Sequence, residues 1–384
     1  MIGKRETGNG KRLLRETEND SCGKRETIPA GNGKPFLRET GNGKRETIPA
    51  GSGKRAAGSV SQMHWLDRAA ELSAARMPPN KRPFNLGWGD QGLVQWYLDN
   101  AGTVPPIADI GVRIRPARRS GTTVVRDLEF ESPFELLPAH IRMVRARWIT
   151  TYPEPERVVL LHAAWNDEDY RTRTRIARDL LARGIASVMP QHPFYGERRR
   201  VKYLETPVPL VSDFCLMGRG GVLEGRSLAA YLHRAGYRVG VSGYSMGGNI
   251  AGFVGTLVDF PVAMSAVAAA YSAGPPFMTG LLRKTIAWDA LGGETEEIVE
   301  RISRVLHAGS LLNHTPPKHA AAAVLLAGTR DGFVPTSSTQ AIHRHWQGSK
   351  MNWVSAGHAS LLLTKRDRIV ATIAESFDRL EESR

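Results

Sequence analysis

The segment Gly243-Tyr244-Ser245-Met246-Gly247-Gly248 constrains this chain more than any other. It follows the apolar run Val239-Gly240-Val241-Ser242 and precedes a stretch, from Asn249 onward, that reads as a helix. A serine at such a strand-to-helix junction sits on a very sharp turn. Small residues two before and two after it let the strand and the helix approach. The turn pushes the serine Oγ out at the carboxyl end of a sheet. A serine hydroxyl is a weak nucleophile, so this placement is useful only if a base lies within hydrogen-bond reach. The rest of the chain must therefore supply a sheet, flanking helices and a base.

The hydrophobic pattern fits that demand. From about residue 120, short apolar runs alternate with helical segments, which indicates an α/β fold with a mostly parallel central sheet and crossover helices. The expected strands are Thr123–Phe130, Arg142–Thr150, Val158–His162, Ala186–Pro190, Val239–Ser242, Ala263–Tyr271, Ala322–Gly328 and Met351–Val354. The first two are expected to pair antiparallel, because their connection is too short for much of a crossover. Ile176 and Leu180 mark a helix closed by Gly184; Leu228, Tyr231 and Leu232 mark another closed by Gly236. Residues 273–320 are too long for a plain connection. They hold Pro275-Pro276 and an amphipathic helix with Ile298, Ile302, Val305 and Leu306, and they form a candidate lid.

On this architecture a serine nucleophile is followed in the chain by an acid and then a histidine. Asp331, in Gly328-Thr329-Arg330-Asp331-Gly332, comes directly after the apolar strand at 322–327. A carboxylate there can orient an imidazole and stabilise it once protonated. His343, His345 and His358 are the histidines that remain downstream. The first two share a predicted helix and are expected at the surface. His358 lies past the last strand, on an expected loop from which it reaches Ser245. Backbone N–H groups would receive the developing oxyanion, one from Met246 and the other from Trp165 or Ala164, in the loop after Leu160-Leu161-His162. His162 itself reads as structural. The acidic run Asn166-Asp167-Glu168-Asp169 lacks the spacing of a calcium loop, so no metal or other cofactor is expected.

Four segments together resemble the alpha/beta-hydrolase domain 18 family. They are His162–Arg173 (H-A-A-W-N-D-E-D-Y-R-T-R), His192–Arg199 (H-P-F-Y-G-E-R-R), Ser212–Gly220 (S-D-F-C-L-M-G-R-G) and Gly243–Gly248. The resemblance covers roughly residues 65–375. It implies an alpha/beta-hydrolase fold, a serine hydrolase of the esterase or lipase type, and Ser245, Asp331 and His358 in the matching positions. A lipid or other carboxylic ester is the substrate class it implies. His162-Ala163-Ala164 departs from the glycine-bearing loop usual at the oxyanion position. The arginines of Tyr195–Arg200 read either as a substrate-facing loop that attracts an anionic head group or as a solvated loop. Cys215 reads as a small buried side chain.

Residues 1–60 differ in kind. The unit G-K-R-E-T-I-P-A-G-N at Gly23–Asn32 decays at Gly33–Asn42 and returns at Gly43–Ser52. So little apolar surface predicts a disordered basic arm, with residues 61–384 forming the folded domain. The arm carries +6 of the chain's net +14, and the remaining charge is unremarkable over more than 300 residues. Phe36 is the sole aromatic residue among the arm's Lys and Arg, so no nucleic-acid partner is expected. Peripheral contact with an anionic membrane remains compatible with the charge. Residues 1–30 lack the apolar run of a secretory signal, and no uncharged stretch reads as a spanning helix. Two cysteines, Cys22 and Cys215, exclude a disulfide framework and suit a reducing, cytoplasmic setting. The reading is a serine hydrolase acting on a small-molecule ester, with no obligate protein partner. Its rivals are an acyltransferase with the same triad and a catalytically silent binding protein.

Overall fold

A computed structural model describes residues 63–199 and 206–383, so the arm expected over residues 1–60 lies outside the described residues. The strands are β1 (Arg113–Ile114), β2 (Arg118–Ser120), β3 (Thr123–Glu131), β4 (Met143–Thr151) and β5 (Arg157–His162). They continue with β6 (Ile185–Pro190), β7 (Arg238–Tyr244), β8 (Ala263–Val267), β9 (Val324–Gly328) and β10 (Lys350–Val354). They form a single sheet in the order β1-β3-β4-β6-β5-β7-β8-β9-β10, with β2 paired to β3. β3 and β4 pair antiparallel, as expected, and β4 also meets β6 antiparallel. From β6 to β10 every pairing is parallel.

The helices are α1 (Trp65–Ala75), α2 (Gln91–Asn100), α3 (Arg171–Leu181), α4 (Val211–Arg234) and α5 (Met246–Thr256). They continue with α6 (Trp288–Leu291), α7 (Glu296–Ala308), α8 (Thr336–His345), α9 (His358–Thr364) and α10 (Arg366–Glu382). Alternate side chains of each central strand feed two cores. Val158, Leu160, Val239 and Val241 pack with Val222 and Leu228 of α4 and Ile250 of α5. Val159, Leu161 and Ile185 pack with Ile176 and Leu180 of α3 and Phe377 of α10. Strands covered on both faces have no polar side, which is why their sequences are nearly continuous apolar runs.

A third cluster covers the carboxyl end of the sheet. Phe84, Trp88 and Tyr97 from the segment before β1 meet Phe214 of α4, Phe277, and Ile302 and Leu306 of α7. The expected lid segment therefore holds α6, α7 and short turns, and residues 84–97 share its apolar packing. Trp88 Nε1 donates to Leu291 O at 3.0 Å, tying the two stretches together.

The expected strand Ala263–Tyr271 is shorter than its apolar run. It ends at Val267, whose carbonyl accepts the Ser245 N–H at 2.8 Å, and Ala268 then turns into positive φ (48°). β1 and β2 were not anticipated, because their residues are exposed and carry no apolar alternation. Among the described residues, no helix is long and apolar enough to cross a membrane.

Arg198 and Glu224 form a buried ion pair between the turn after β6 and α4. Arg198 Nη2 lies 2.6 Å from Glu224 Oε1, and the two side chains are 2% and 3% exposed. Arg198 also donates to the carbonyls of Ile141 and Gln191. Removing one partner leaves the other charge buried and unpaired. Glu224→Ala is expected to cost about 3–5 kcal/mol, measured by urea unfolding, because a buried ion is orphaned. A loss under 1 kcal/mol would mean that water reaches Arg198.

Candidate active site

The site forms where the strand order reverses. β6 lies on one side of β5 and β7 on the other, so the loops leaving β5 and β7 diverge at their carboxyl ends. A crevice at such a switch point is where open α/β sheets bind ligands. Ser245 stands at the end of β7 with φ 56° and ψ −116°, a strained conformation for a residue with a side chain. The turn works only because its neighbours have no Cβ. A Cβ on Gly243 would come within 2.3 Å of the Gly247 backbone, and one on Gly247 within 2.3 Å of His162 O. β7, α5 and the loop after β5 thus meet backbone to backbone.

That contact sets the candidate N–H donors together. Met246 opens α5, where the first N–H groups have no intrahelical acceptor. Ala164 and Trp165 lie in the loop packed against Gly247. Among the described residues no acceptor takes the N–H of Ala164 or Trp165. Asn166, next in line, adopts positive φ (63°) and gives its N–H to Tyr195 Oη at 3.1 Å. The His162-Ala163-Ala164 stretch is thereby held without a glycine.

Asp331 and His358 are brought into direct contact. His358 Nδ1 and Asp331 Oδ2 are 2.7 Å apart, and the side chains are 14% and 2% exposed. The other carboxylate oxygen, Oδ1, accepts the N–H groups of Phe333 and Val334 at 2.9 and 2.8 Å. Burial pulls the His358 pKa down, but the charge and hydrogen bond of Asp331, with the charge of Asp67, raise it on balance above 6.5. His358 is not on a loop as expected: it is the first residue of α9, with Gly357 as N-cap. Phe333 and Tyr244 flank its ring, each at 5.1 Å between centroids. The Tyr244 hydroxyl donates to His358 O. Ser245 Oγ makes no hydrogen bond to this ring; such contacts are often long until substrate binds.

The other candidates take structural places. His343 Nδ1 meets Ser349 Oγ and His345 Nε2 meets His314 O; both are half-buried on α8 rather than exposed. His162 is buried and stacked on His192 at 5.7 Å. Burial, and then the charge of Arg173, push its pKa down to about 3, so its ring is neutral. The carboxylates after Trp165 are engaged with arginines: Asp167 with Arg173, Glu168 with Arg199, Asp169 with Arg171. Arg198 and Arg199 are therefore paired within the protein rather than open to an anionic head group, and Arg200 lies outside the described residues. Cys215 is buried on α4, as expected.

One residue went unnoticed in the sequence. Asp67, on α1 and fully buried, accepts three backbone N–H groups: Gly332 at 2.9 Å, His358 at 2.7 Å and Ala359 at 2.9 Å. Gly332 follows Asp331, so one carboxylate pins the chain on both sides of the Asp331–His358 pair. Nothing local distinguishes Asp67, because it reads as an ordinary acidic residue in the first turn of an amphipathic helix.

A mostly parallel sheet between two helical layers, with a strained serine after a central strand and an Asp–His pair at later strand ends, is the alpha/beta-hydrolase fold. The profile of the family described as alpha/beta hydrolase domain containing 18 matches residues 84–300 and 292–379, most of the chain. The chain belongs to that family. Among solved structures it is similar to acetyl xylan esterase 1 from Thermoanaerobacterium sp. JW/SL YS485, with a TM-score of 0.51 at 15% identity. That match covers 78% of this chain and 99% of the esterase. An acetyl xylan esterase from Paenibacillus sp. R4 gives a TM-score of 0.51 at 14% identity, over 77% of this chain and 99% of its own. At these identities the likeness concerns the fold.

Removing the Asp67 charge takes away one of the influences that raise His358. In Asp67→Asn the His358 pKa, followed by NMR titration of its ring, is expected to fall relative to the parent. The thermal midpoint should fall too, since charged hydrogen bonds of this kind contribute about 1.5–3 kcal/mol each. An unchanged His358 titration would show that Asp67 does not act on the pair electrostatically.

Proposed function

We propose that this protein is a serine hydrolase that cleaves a carboxylic ester, with Ser245 as nucleophile, His358 as base and Asp331 as the group that orients it. The observation that carries the reading is the 2.7 Å Asp331–His358 contact, formed past the ends of β9 and β10, together with a strained Ser245 at the end of β7. With Nδ1–H donated to Asp331, Nε2 is left as the acceptor. His358 takes the Ser245 proton as Oγ attacks the ester carbonyl. The Met246 N–H, with Ala164 or Trp165, receives the negative charge that develops on the carbonyl oxygen. His358 then returns the proton to the leaving alcohol, and an acyl-enzyme remains. Water activated by the same imidazole releases the acid. No cofactor is needed, since each proton and charge has a protein partner.

The segment around α6 and α7 serves as a lid in this reading. Phe277 lies edge-on to Trp165 at 5.4 Å, and Leu281 N donates to Gly332 O at 3.1 Å, so this segment touches both sides of the crevice. Its apolar packing excludes water from the site and favours a substrate with a hydrocarbon part. A reducing aqueous compartment suits the unpaired buried thiol of Cys215.

Ser245→Ala is expected to abolish fluorophosphonate labelling while circular dichroism stays unchanged; retained labelling would put the nucleophile elsewhere. Asp331→Asn and His358→Ala should each lower kcat by about a thousandfold or more, and the double variant should be little worse than either. Losses that multiply would mean that the two residues act independently. The sign of the pH dependence follows from the raised His358 pKa. The ring must be neutral to accept a proton, so activity is lost as pH falls through that pKa. The acid limb of kcat/KM should therefore have its midpoint above 6.5, the ordinary imidazole value. A midpoint well below it would contradict the pairing.

A further inference from the structure

Arg219 lies on α4 within Ser212–Gly220, a segment that the proposed chemistry leaves unused. It is buried, at 9% exposure. Among the described residues, Nη2 of its guanidinium donates to Thr103 Oγ1 at 2.9 Å, and the buried Nε finds no partner. Among the described residues no carboxylate forms an ion pair with it. The charged or titratable groups that influence it or feel it are Tyr97, His314 and Arg226, none of them anionic at neutral pH.

The other buried guanidiniums differ. Arg173 has Asp167 and two carbonyls, and Arg198 has Glu224 and two carbonyls. Arg226 donates to the carbonyls of Leu257 and Pro105, and Leu257 caps the negative end of α5. Leaving a buried cation without a counter-charge is costly. Among the described residues none supplies that counter-charge to Arg219, which leaves the place open to an anion from solution.

The surroundings say where it would enter. Arg219 lines two spaces at once. The inner one is an apolar cavity of about 80 Å³ whose wall includes Met246 and Asn249 of the elbow helix. The outer one is a cleft of about 400 Å³ walled by Trp96, Phe134 and Pro105, where the exposed Glu135 is the single acid. A guanidinium at the junction of an apolar cleft and a cavity beside the elbow suits a ligand with an anionic end and a hydrocarbon body. Planar, forked N–H groups match carboxylate and phosphate oxygens.

We propose that Arg219 binds an anionic oxygen group, a carboxylate or a phosphate, carried by the ester substrate, and so sets specificity and orients the ester toward Ser245. This rests on the Ser245 reading above, and the test separates the two.

Thermal melts of the full chain are recorded with sodium succinate or inorganic phosphate against sodium chloride at matched ionic strength, for the parent, Arg219→Gln and Arg219→Lys. The expected result is a saturable rise in Tm of the parent with one of the two anions, lost in Arg219→Gln and partly kept in Arg219→Lys. Whichever anion acts identifies the head group as carboxylate or phosphate. In chloride alone Arg219→Gln should melt no lower than the parent, because it removes an uncompensated charge; a purely structural cation would lower Tm. The active anion should also slow fluorophosphonate labelling of Ser245 at least threefold in the parent and leave Arg219→Gln labelling unaffected. No saturable rise with either anion, or an equal rise in Arg219→Gln, overturns the proposal while normal labelling keeps the serine assignment. An Arg219-dependent rise with Ser245 unlabelled overturns the serine assignment and supports the anion site.

Discussion

The backbone contact at Gly243 and Gly247 is what the rest of the site depends on. At these two positions β7, α5 and the loop after β5 approach more closely than any side chain would allow, with 2.3 Å left where a Cβ would stand. Ser245 is held in a strained conformation by that contact, and the strain persists because the surrounding sheet over-determines it. Its N–H is spent on Val267 at the end of β8, and the Asn249 N–H returns to Ser245 O. The strand that follows β7 in the sheet is cut short to serve the turn. The candidate oxyanion donors come from the same meeting of elements, since the loop that carries Ala164 and Trp165 is the one pressed on Gly247.

A second constraint gathers Asp331 and His358. Asp331 leaves β9 and His358 follows β10, neighbouring parallel strands whose ends are held by Thr329 N to Val354 O and Arg330 N to Ala356 O. A third element, α1, then reaches in with Asp67 and accepts N–H groups from both segments. The N-terminal helix of the domain is therefore part of the support of the Asp331–His358 pair, although it lies more than 260 residues away in the chain. Met63, beside Gly332, belongs to the same contact.

Much of this was legible in the sequence. The parallel sheet could be read because strands covered on both faces are continuous apolar runs, as in the fully buried β6 and β9. Ser245 could be read because the elbow needs glycines at fixed offsets, and Asp331 because it follows an apolar strand directly. Other features had no local signal. The 273–320 segment stood out by length and by the spacing of Ile298, Ile302 and Val305, but its packing on Phe84 and Trp88 depends on contacts between distant residues. Asp67 looks like any first-turn acid, and its meaning comes from the N–H groups it meets. The arginines after Tyr195 read either as a substrate-facing loop or as a solvated one; the partners that neutralise Arg198 and Arg199 lie elsewhere in the chain, at Glu224 and Glu168. Arg219, by contrast, lies inside the Ser212–Gly220 motif and has no such partner among the described residues.

The central claim is that Ser245 carries the acyl group between two half-reactions. Rapid quenching of the protein in acid during turnover of an activated acetate ester, followed by tandem mass spectrometry, tests it most directly. The account predicts a 42 Da adduct, about the mass of one added acetyl group, on the peptide containing Ser245, appearing before steady state and lost as the substrate is exhausted. An adduct on another residue, or steady turnover with Ser245 unmodified at every time point, would contradict it.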